Sequence, residues 1–426
     1  MLSTDLRKYI RSGELDDVLE ELYGKGEVSS ARARYLDAIK SFEKLYGDDR
    51  EVSVFSIPGR SELSGNHTDH NGGKVIAASV DLDAIAVASA SIGSVIRIAS
   101  EGYGEECVDF DSYSFPNDEF FGTSTSIIAG VVSGIKTLGK SIGAFDAYFT
   151  SCVPGGSGLS SSAVYENAVG TIINHFYNDG EIDQVTIAKI SQYAENTFFG
   201  KPCGLMDQIA CAVGGIVAID FESAKNPIVE RISAEPLAPL ALCIVSTGGS
   251  HADLTDDYAS VPAEMKAVAA HFKKNVLREI TREQLKKEIC ELREKLGDRA
   301  VLRAIHFFDE NDRVDEAVKA LKSNDLDAFL SIILASGKSS YCYLQNVFSA
   351  KNPTEQGISL ALCLAEDCLA DKNAAWRVHG GGFAGTIQAF VPVEIADSFC
   401  NEMSSVFGKG ACKILKIRSR GAEKII

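Results

Sequence analysis

The chain has 426 residues, 45% of them hydrophobic, enough apolar mass for two cores and hence for two or three domains. Lys and Arg number 42 against 59 Asp and Glu, a formal net charge of −17, and neither end carries a long basic run. This excludes general binding to nucleic acid or anionic lipid, though not a small basic pocket for a phosphorylated ligand.

Eleven cysteines lack paired CxxC spacing, and Cys152, Cys211, Cys243 and Cys363 sit in apolar runs, which reads as reduced, buried thiols in a cytoplasmic protein. The N-terminus lacks the apolar core of a signal peptide, and the apolar stretch 75–90 is interrupted by Asp81 and Asp83. Neither export nor a membrane span is expected.

The first 46 residues are charged and helical in pattern, with a break at Gly24-Lys25-Gly26, and are expected to form an arm ahead of the main body. Val52–Ile57 and the run from Lys74 read as strands. Between them, residues 58–73 pack one Arg, two carboxylates, two His, two Asn and four Gly into sixteen positions. Glycines let a backbone approach a ligand closely, and the Arg, Asp and His side chains offer directional hydrogen bonds. The same composition also fits a solvated surface loop. His67-Thr-Asp-His70 matches the usual transition-metal spacings poorly, and no Cys cluster supports it.

Ile128, Val131, Val132, Ile135 and Leu138 recur at helical spacing and are stopped by Gly139; Ala144–Val153 then alternates as a strand. Gly134-Ile-Lys-Thr-Leu-Gly-Lys140-Ser141 has the letters of a P-loop, but a helix runs into it and a strand follows, the reverse of what phosphate binding requires. Lys140 reads instead as a cation near a helix C-terminus.

The segment Val153-Pro-Gly-Gly-Ser-Gly-Leu-Ser-Ser-Ser-Ala163 has the correct order, following a strand and opening a helix striped by Tyr165, Ala168, Val169, Ile172, Ile173 and Phe176. Unpaired amides of the first turn, the helix dipole and the Ser hydroxyls converge on one anion site. A Ser-rich N-cap without a ligand is the plainer alternative. Glu195 and Asp207 then flank a Gly/Pro break. One suits a divalent cation and the other the proton of an attacking hydroxyl. Past residue 262 come long amphipathic helices, and a strand, Gly loop and strand near 374–393 suggest an α+β second domain.

Together these segments resemble the GHMP small-molecule kinases and, within them, the galactokinases, over roughly residues 30–426. Pro58-Gly-Arg-x-x-Leu-x-Gly-x-His-Thr-Asp-x-Asn-Gly-Gly is similar to the galactokinase signature, Pro154–Ala163 to the phosphate loop, Gly200–Gln208 to the catalytic segment, and Val378–Gly385 to the C-terminal glycine motif. The resemblance implies a two-domain α+β GHMP kinase fold, with a ribosomal-S5-like N-terminal domain, a ferredoxin-like C-terminal domain and an active site in the cleft between them. The expected divisions are an arm at 1–46 and domains at 47–220 and 221–426.

The resemblance also implies roles. Asp207 is the expected catalytic base for the anomeric hydroxyl of a sugar, with Arg60 beside it. ATP is the expected phosphate donor, its phosphates lying along Gly156, Ser157, Gly158, Ser160 and Ser161, with Mg²⁺ on Ser161 and Glu195. Asn66, His67, Asp69, Gly204 and Tyr258 are the expected sugar contacts. The partners implied are a small sugar and ATP, with monomer or homo-oligomer undecided.

Departures from the family pattern keep the sugar open. Galactokinases usually read Arg-Val-Asn-Leu-Ile-Gly-Glu-His where this chain reads Arg60-Ser-Glu62-Leu-Ser-Gly-Asn66-His67, so acid and amide have traded places. A neutral Asn66 forgoes a charge-assisted bond, a difference of about 1 kcal/mol, and no longer repels an acid. Galactose leads, with galacturonate, N-acetylgalactosamine or another galactose-like sugar as alternatives, and a non-catalytic sensor as a third reading. Asn196 replaces the usual His, and no Trp or Tyr occupies 121–130, which leaves nucleotide preference open.

Overall fold

The computed structural model describes residues 1–112, 121–155, 158–223, 225–249 and 254–426. Its strands are β1 (Ser53–Ser64), β2 (Lys74–Ala90), β3 (Val95–Ser100), β4 (Glu105–Asp109), β5 (Phe145–Ser151), β6 (Ile216–Asp220), β7 (Ile228–Ile232), β8 (Leu240–Ser246), β9 (Ala375–Val378), β10 (Thr386–Pro392), β11 (Cys412–Leu415) and β12 (Glu423–Lys424). Eight form one sheet in the order β12-β1-β2-β5-β3-β4, with β6 pairing the first part of β2 and β7 lying outside β6; the other four form a second sheet, β11-β8-β10-β9. The first sheet thus draws β7 and β12 from beyond residue 220. This is a mixed α+β architecture.

Alternation along the strands assigns each face its cover. Phe55, Ala86 and Ala88 of β1 and β2 face a core shared with helices Ser124–Thr137, Ser161–Tyr177 and Gln184–Tyr193. Val54, Ile85 and Val87 point the other way, into a core with Leu6, Leu19, Tyr35 and Phe42 of the first 46 residues. The arm is therefore a layer of the fold, made of helices Ser3–Arg11, Asp16–Tyr23 and Val28–Tyr46. In the second sheet, Cys243, Val245 and Ala389 face helices Gly357–Leu369 and Ala396–Phe407, while Leu242, Ile244 and Phe390 join the first core. That shared core seats the two sheets against each other. Among the described residues, no helix is long and apolar enough to cross a membrane.

Two expectations are corrected. The polar segment 58–73 is not a loop throughout, because β1 continues to Ser64 and is buried along its whole length. Pairing with β2 shifts register between Pro58 and Arg60 and again between Glu62 and Ser64. Such bulges accommodate a proline that cannot donate to the ladder and re-aim the side chains beside it. The cysteines also differ. Cys211 and Cys243 are buried, but Cys152 and Cys363 are exposed, and Cys400 and Cys412 form a disulfide between helix Ala396–Phe407 and β11. An apolar neighbourhood in sequence does not bury a residue at a strand or helix edge.

One buried charge ties the arm to the sheet. Asp83, fully buried on β2, pairs with Arg34 at 2.9 Å and Arg418 at 3.4 Å and accepts hydrogen bonds from Tyr23 and Ser56. Replacing Asp83 with Ala strands Arg418 inside the protein, a loss of about 3–5 kcal/mol. Urea unfolding of the Asp83→Ala variant is expected to show a clearly lowered midpoint; an unchanged midpoint would remove this cluster from any role in stability.

Candidate active site

The site is assembled where β1, the phosphate loop and two helix N-termini meet. Gly59 brings the strand against the loop, since a Cβ there would lie 2.9 Å from the carbonyl oxygen of Leu159, and the Arg60 amide donates to that same oxygen at 3.2 Å. Arg60 is buried. Its Nε donates to Asp207 Oδ1 at 2.8 Å, Nη2 lies 2.6 Å from the same oxygen, and Nη1 donates to the Gly158 carbonyl. Ser160 stands at the N-cap position of helix Ser161–Tyr177 with φ 64, a left-handed conformation rare for serine, and its hydroxyl donates to Asp207 Oδ2 at 2.5 Å instead of capping the helix. Asp207 sits in the first turn of helix Met206–Val213.

Burial pushes the Asp207 carboxyl up, but the Arg60 guanidinium and the hydrogen bonds from Ser160 and Arg60 outweigh it and hold the group below its ordinary value. A carboxylate has about four lone-pair directions. Arg60 Nε donates to Oδ1, with Nη2 paired against the same oxygen, and Ser160 takes one direction on Oδ2, so Oδ2 keeps one direction for an incoming hydroxyl hydrogen. A third of the Asp207 side chain stays accessible.

On one side of Asp207 lies a rim of the expected sugar contacts. Gly204 abuts Asp69, for a Cβ on Gly204 would meet the Asp69 carboxylate at 2.1 Å. His67, with φ 60, has Nε2 2.9 Å from the Gly381 carbonyl. Tyr258 lies against Gly381, where a Cβ would be 2.4 Å from its ring, and donates to the Gly382 carbonyl at 2.8 Å. Burial lowers the His67 pKa to about 4, against the opposing pull of the Gly381 bond. The ring is neutral, Nε2 carries its proton, and Nδ1 is an acceptor.

Asn66 is placed differently from its neighbours. It is fully buried, its amide nitrogen donates to Glu62 at 3.1 Å and to the Gly380 carbonyl at 2.7 Å, and its oxygen accepts from Ser340 at 3.2 Å and Asn346 at 2.8 Å. All four of its hydrogen-bonding positions are taken by protein. Glu62 in turn pairs with the fully buried Arg377 at 2.8 Å. Burial raises the Glu62 pKa even so, with Arg377 and Arg60 pulling the other way. The traded acid is thus internal and matched by a cation. Behind it, Glu310 accepts from the Gly65 amide at 3.0 Å, and His306 bonds the Asn66 carbonyl at 3.0 Å.

A cavity of about 430 Å³ is lined by Tyr103, Phe149 and Tyr165 together with Ser161, Ser162 and Glu195. The Phe149 and Tyr165 rings meet edge to face, centroids 5.4 Å apart. These aromatic residues come from outside 121–130, where sequence reasoning looked for them. Ser162, rather than Ser161, hydrogen-bonds Glu195, at 3.3 Å.

Glu166, one turn further along the helix, is fully buried, and Gln208 donates to it at 3.1 Å and to Glu195 at 2.9 Å. Glu166 Oε1 and Gln208 Oε1 are both buried without a hydrogen-bond partner. Burial and the Glu195 charge push the Glu166 pKa well up. Hydroxyls, carboxylates and orphaned acceptor oxygens form a hard-oxygen set that fits Mg²⁺. Lys140 is remote from this site, paired with Glu181 at 3.2 Å. Gly156 and Ser157, and the segment 251–253, lie outside the described residues.

Of the residues singled out in the sequence, the fold brings Arg60, Ser160, Asp207 and Glu195 together. Sequence reasoning missed Glu166, Lys201, Glu310, His306, Arg377 and His379. His379 was open to detection as the only His beside the third glycine motif. Its ring spans Ser61 at 3.1 Å and Thr386 at 3.0 Å, and Gln388 donates to Ser61 at 2.7 Å. That leaves the Ser61 hydrogen for Nε2 and puts the ring proton on Nδ1.

Residues 121–215 match the N-terminal domain of the GHMP kinases, and residues 40–90 match the galactokinase galactose-binding signature. The chain is 32% identical over 361 residues to a galactokinase of Actinobacillus pleuropneumoniae, covering 83% of this chain and 89% of the relative. It is 28% identical over 377 residues to a galactokinase of Clostridium tetani, covering 87% and 91%. Among solved structures, Lactococcus lactis galactokinase complexed with galactose superposes with a TM-score of 0.77 at 24% identity, covering 92% of this chain and all of that one, which shows the fold.

Burial and the nearby Arg60 and Arg377 charges hold the His379 pKa down to about 3. In an NMR titration of histidine-labelled protein, His67 and His379 are therefore expected to stay neutral from pH 8 down to about pH 5, well below the usual histidine midpoint. A midpoint near 6.5 for either ring would contradict the burial and bonding described.

Proposed function

The chain belongs to the galactokinase family, and on that premise we propose that it is an ATP-dependent sugar 1-kinase. It transfers the γ-phosphate of MgATP to the anomeric hydroxyl of galactose, giving galactose 1-phosphate and ADP. The observation that carries this reading is the bonding of Asp207. Arg60 and Ser160 hold one carboxylate between a helix-opening phosphate loop and the rim formed by His67, Asp69, Gly204 and Tyr258.

Each part has a task in this reading. Asp69 and the Nδ1 of His67 accept hydrogens from sugar hydroxyls, Gly204 and Tyr258 shape the rim, and Asn66 pins the turn that carries His67. Asp207 Oδ2 orients the anomeric hydroxyl and takes its proton. A carboxylate of depressed pKa is a weak base, yet phosphoryl transfer through a loose transition state asks chiefly for positioning and late proton removal. Arg60 keeps that carboxylate ionised and offers positive charge to the reacting oxygens. The amides and dipole at the start of helix Ser161–Tyr177 receive the phosphates, along a loop that includes Gly156, Ser157 and Gly158. Ser161, Ser162, Glu195 and Glu166 would hold Mg²⁺, which supplies neutralisation of phosphate charge when bound.

Purified protein with MgATP and galactose is expected to yield ADP and galactose 1-phosphate. No turnover on galactose, with clear turnover on galacturonate or N-acetylgalactosamine, would change the substrate and keep the kinase. Replacing Asp207 with Ala is expected to lower kcat by roughly 10²–10⁴-fold while nucleotide binding persists; a loss under about tenfold would take the proton-accepting role from Asp207. In an Arg60→Met variant the charge that lowers the Asp207 pKa is gone. The acid limb of its pH–rate profile should therefore move to higher pH, and an unmoved limb would separate the two residues.

A further inference from the structure

We propose that Lys201 is a phosphate-binding residue that occupies the cation's place on Glu195 while the nucleotide site is empty and transfers to the phosphate chain when nucleotide enters. The inference rests on the reading of this cavity as the nucleotide site. Lys201 follows the turn Ala194–Phe199 and Gly200, and its amide donates to the Glu195 carbonyl at 3.1 Å. Its ammonium donates to Glu195 Oε1 at 3.0 Å, the oxygen that also accepts from Ser162. The backbone bond fixes the base of the side chain beside Glu195, while 60% of the side chain remains accessible. The head group is therefore held by one ion pair on a flexible four-carbon stem.

The charge around the cavity gives that ion pair a purpose. Its described lining carries Glu101, Glu106 and Glu195 together with Glu166, whose pKa burial and the Glu195 charge push well up, and Lys201 is its one basic side chain. Glu101 and Glu106 accept hydrogen bonds from Thr150 and Thr125, which do not neutralise them. A polyphosphate entering here meets mostly negative charge, and the helix N-terminus offers only about half a positive charge. An ammonium beside Ser161, Ser162 and Glu195 is the one protein cation in that lining available to the phosphates.

The same position makes Lys201 and a divalent cation competitors for Glu195. When the metal takes Glu195, the freed ammonium has a new partner within the reach of its stem, the phosphate oxygens bound at the same helix N-terminus. In the empty site Lys201 opposes metal binding, and in the loaded site it assists nucleotide binding. These are opposite effects of one side chain, and they can be read separately.

Lys201→Met and Lys201→Arg are the variants, with Lys201→Gln should the methionine disturb the loop. Metal-free ATP affinity is measured by calorimetry in EDTA, and Mn²⁺ affinity without nucleotide by electron paramagnetic resonance. Loss of the ammonium is expected to weaken metal-free ATP binding by at least about tenfold, the worth of one charge-assisted hydrogen bond, and to tighten Mn²⁺ binding severalfold; Lys201→Arg should retain most ATP affinity. ATP affinity within twofold of the parent protein, or Mn²⁺ affinity that does not rise, would overturn the proposal. Unchanged affinities in a protein that turns over sugar would remove Lys201 alone. A protein that binds ATP and phosphorylates no sugar would remove the kinase reading and leave both affinities measurable.

Discussion

Strand β1 carries an arginine and a glutamate two residues apart through the interior of the protein, and neither can be held there without a counter-charge. Arg60 finds Asp207, on a helix 147 residues away, and Glu62 finds Arg377, 315 residues away on a strand of the second sheet. These two pairs make the cleft. The first joins β1 to the helix that carries Asp207, and the second joins the same strand to β9. Breaking either would leave a buried charge unmatched, so the two sheets are held in one relation by the requirement for neutrality as well as by their shared apolar core.

The same constraint explains how acid and amide can trade places in the 60–67 segment. At position 62 the acid is inside, where Arg377 cancels it and Asn66 bonds it; at position 66 the amide satisfies Glu62, Gly380, Ser340 and Asn346 together. A carboxylate at position 66 could accept from Ser340 and Asn346 but could not donate to Glu62 or to a carbonyl. Glu62 and Asn66 are thus a matched pair: an acid at 66 alone would place two acids face to face, and an amide at 62 alone would leave Arg377 without its counter-charge. The signature segment holds His67 and Asp69, the residues proposed to meet the sugar, by means of residues that face inward.

How far the sequence could be read follows from this division. Residues whose task is local were legible. Ser160 opens a helix after a glycine-rich turn, Glu195 and Asp207 flank a Gly/Pro break, and Arg60 stands in a distinctive polar run. Residues that act across the chain were not. Glu310 and His306 lie on helix Asp298–Lys322 in a stretch of ordinary amphipathic pattern, and only tertiary packing brings them to the Gly65–Asn66 backbone. The run 58–64 read as a loop because Pro, Gly and charge are loop signals; two bulges and full pairing of its charges make it a buried strand. Tyr103, Phe149 and Tyr165 come from three separate elements, so no local aromatic cluster announced the cavity they share.

The two halves of the site differ in how completely they are bonded before any ligand arrives. On the rim proposed for the sugar, His67 and Tyr258 already have protein partners in fixed geometry, which lowers the cost of ordering them when a substrate binds. On the side proposed for the nucleotide, Glu166 and Gln208 keep buried oxygens without hydrogen-bond partners, and one ammonium is set among four acidic side chains. Such a surface is electrostatically incomplete, and what completes it is a cation together with an anion. Rigidity on the side proposed to align one hydroxyl, and unmatched charge on the side proposed to receive a metal and a phosphate chain, is the asymmetry that phosphoryl transfer between a neutral sugar and a charged donor requires.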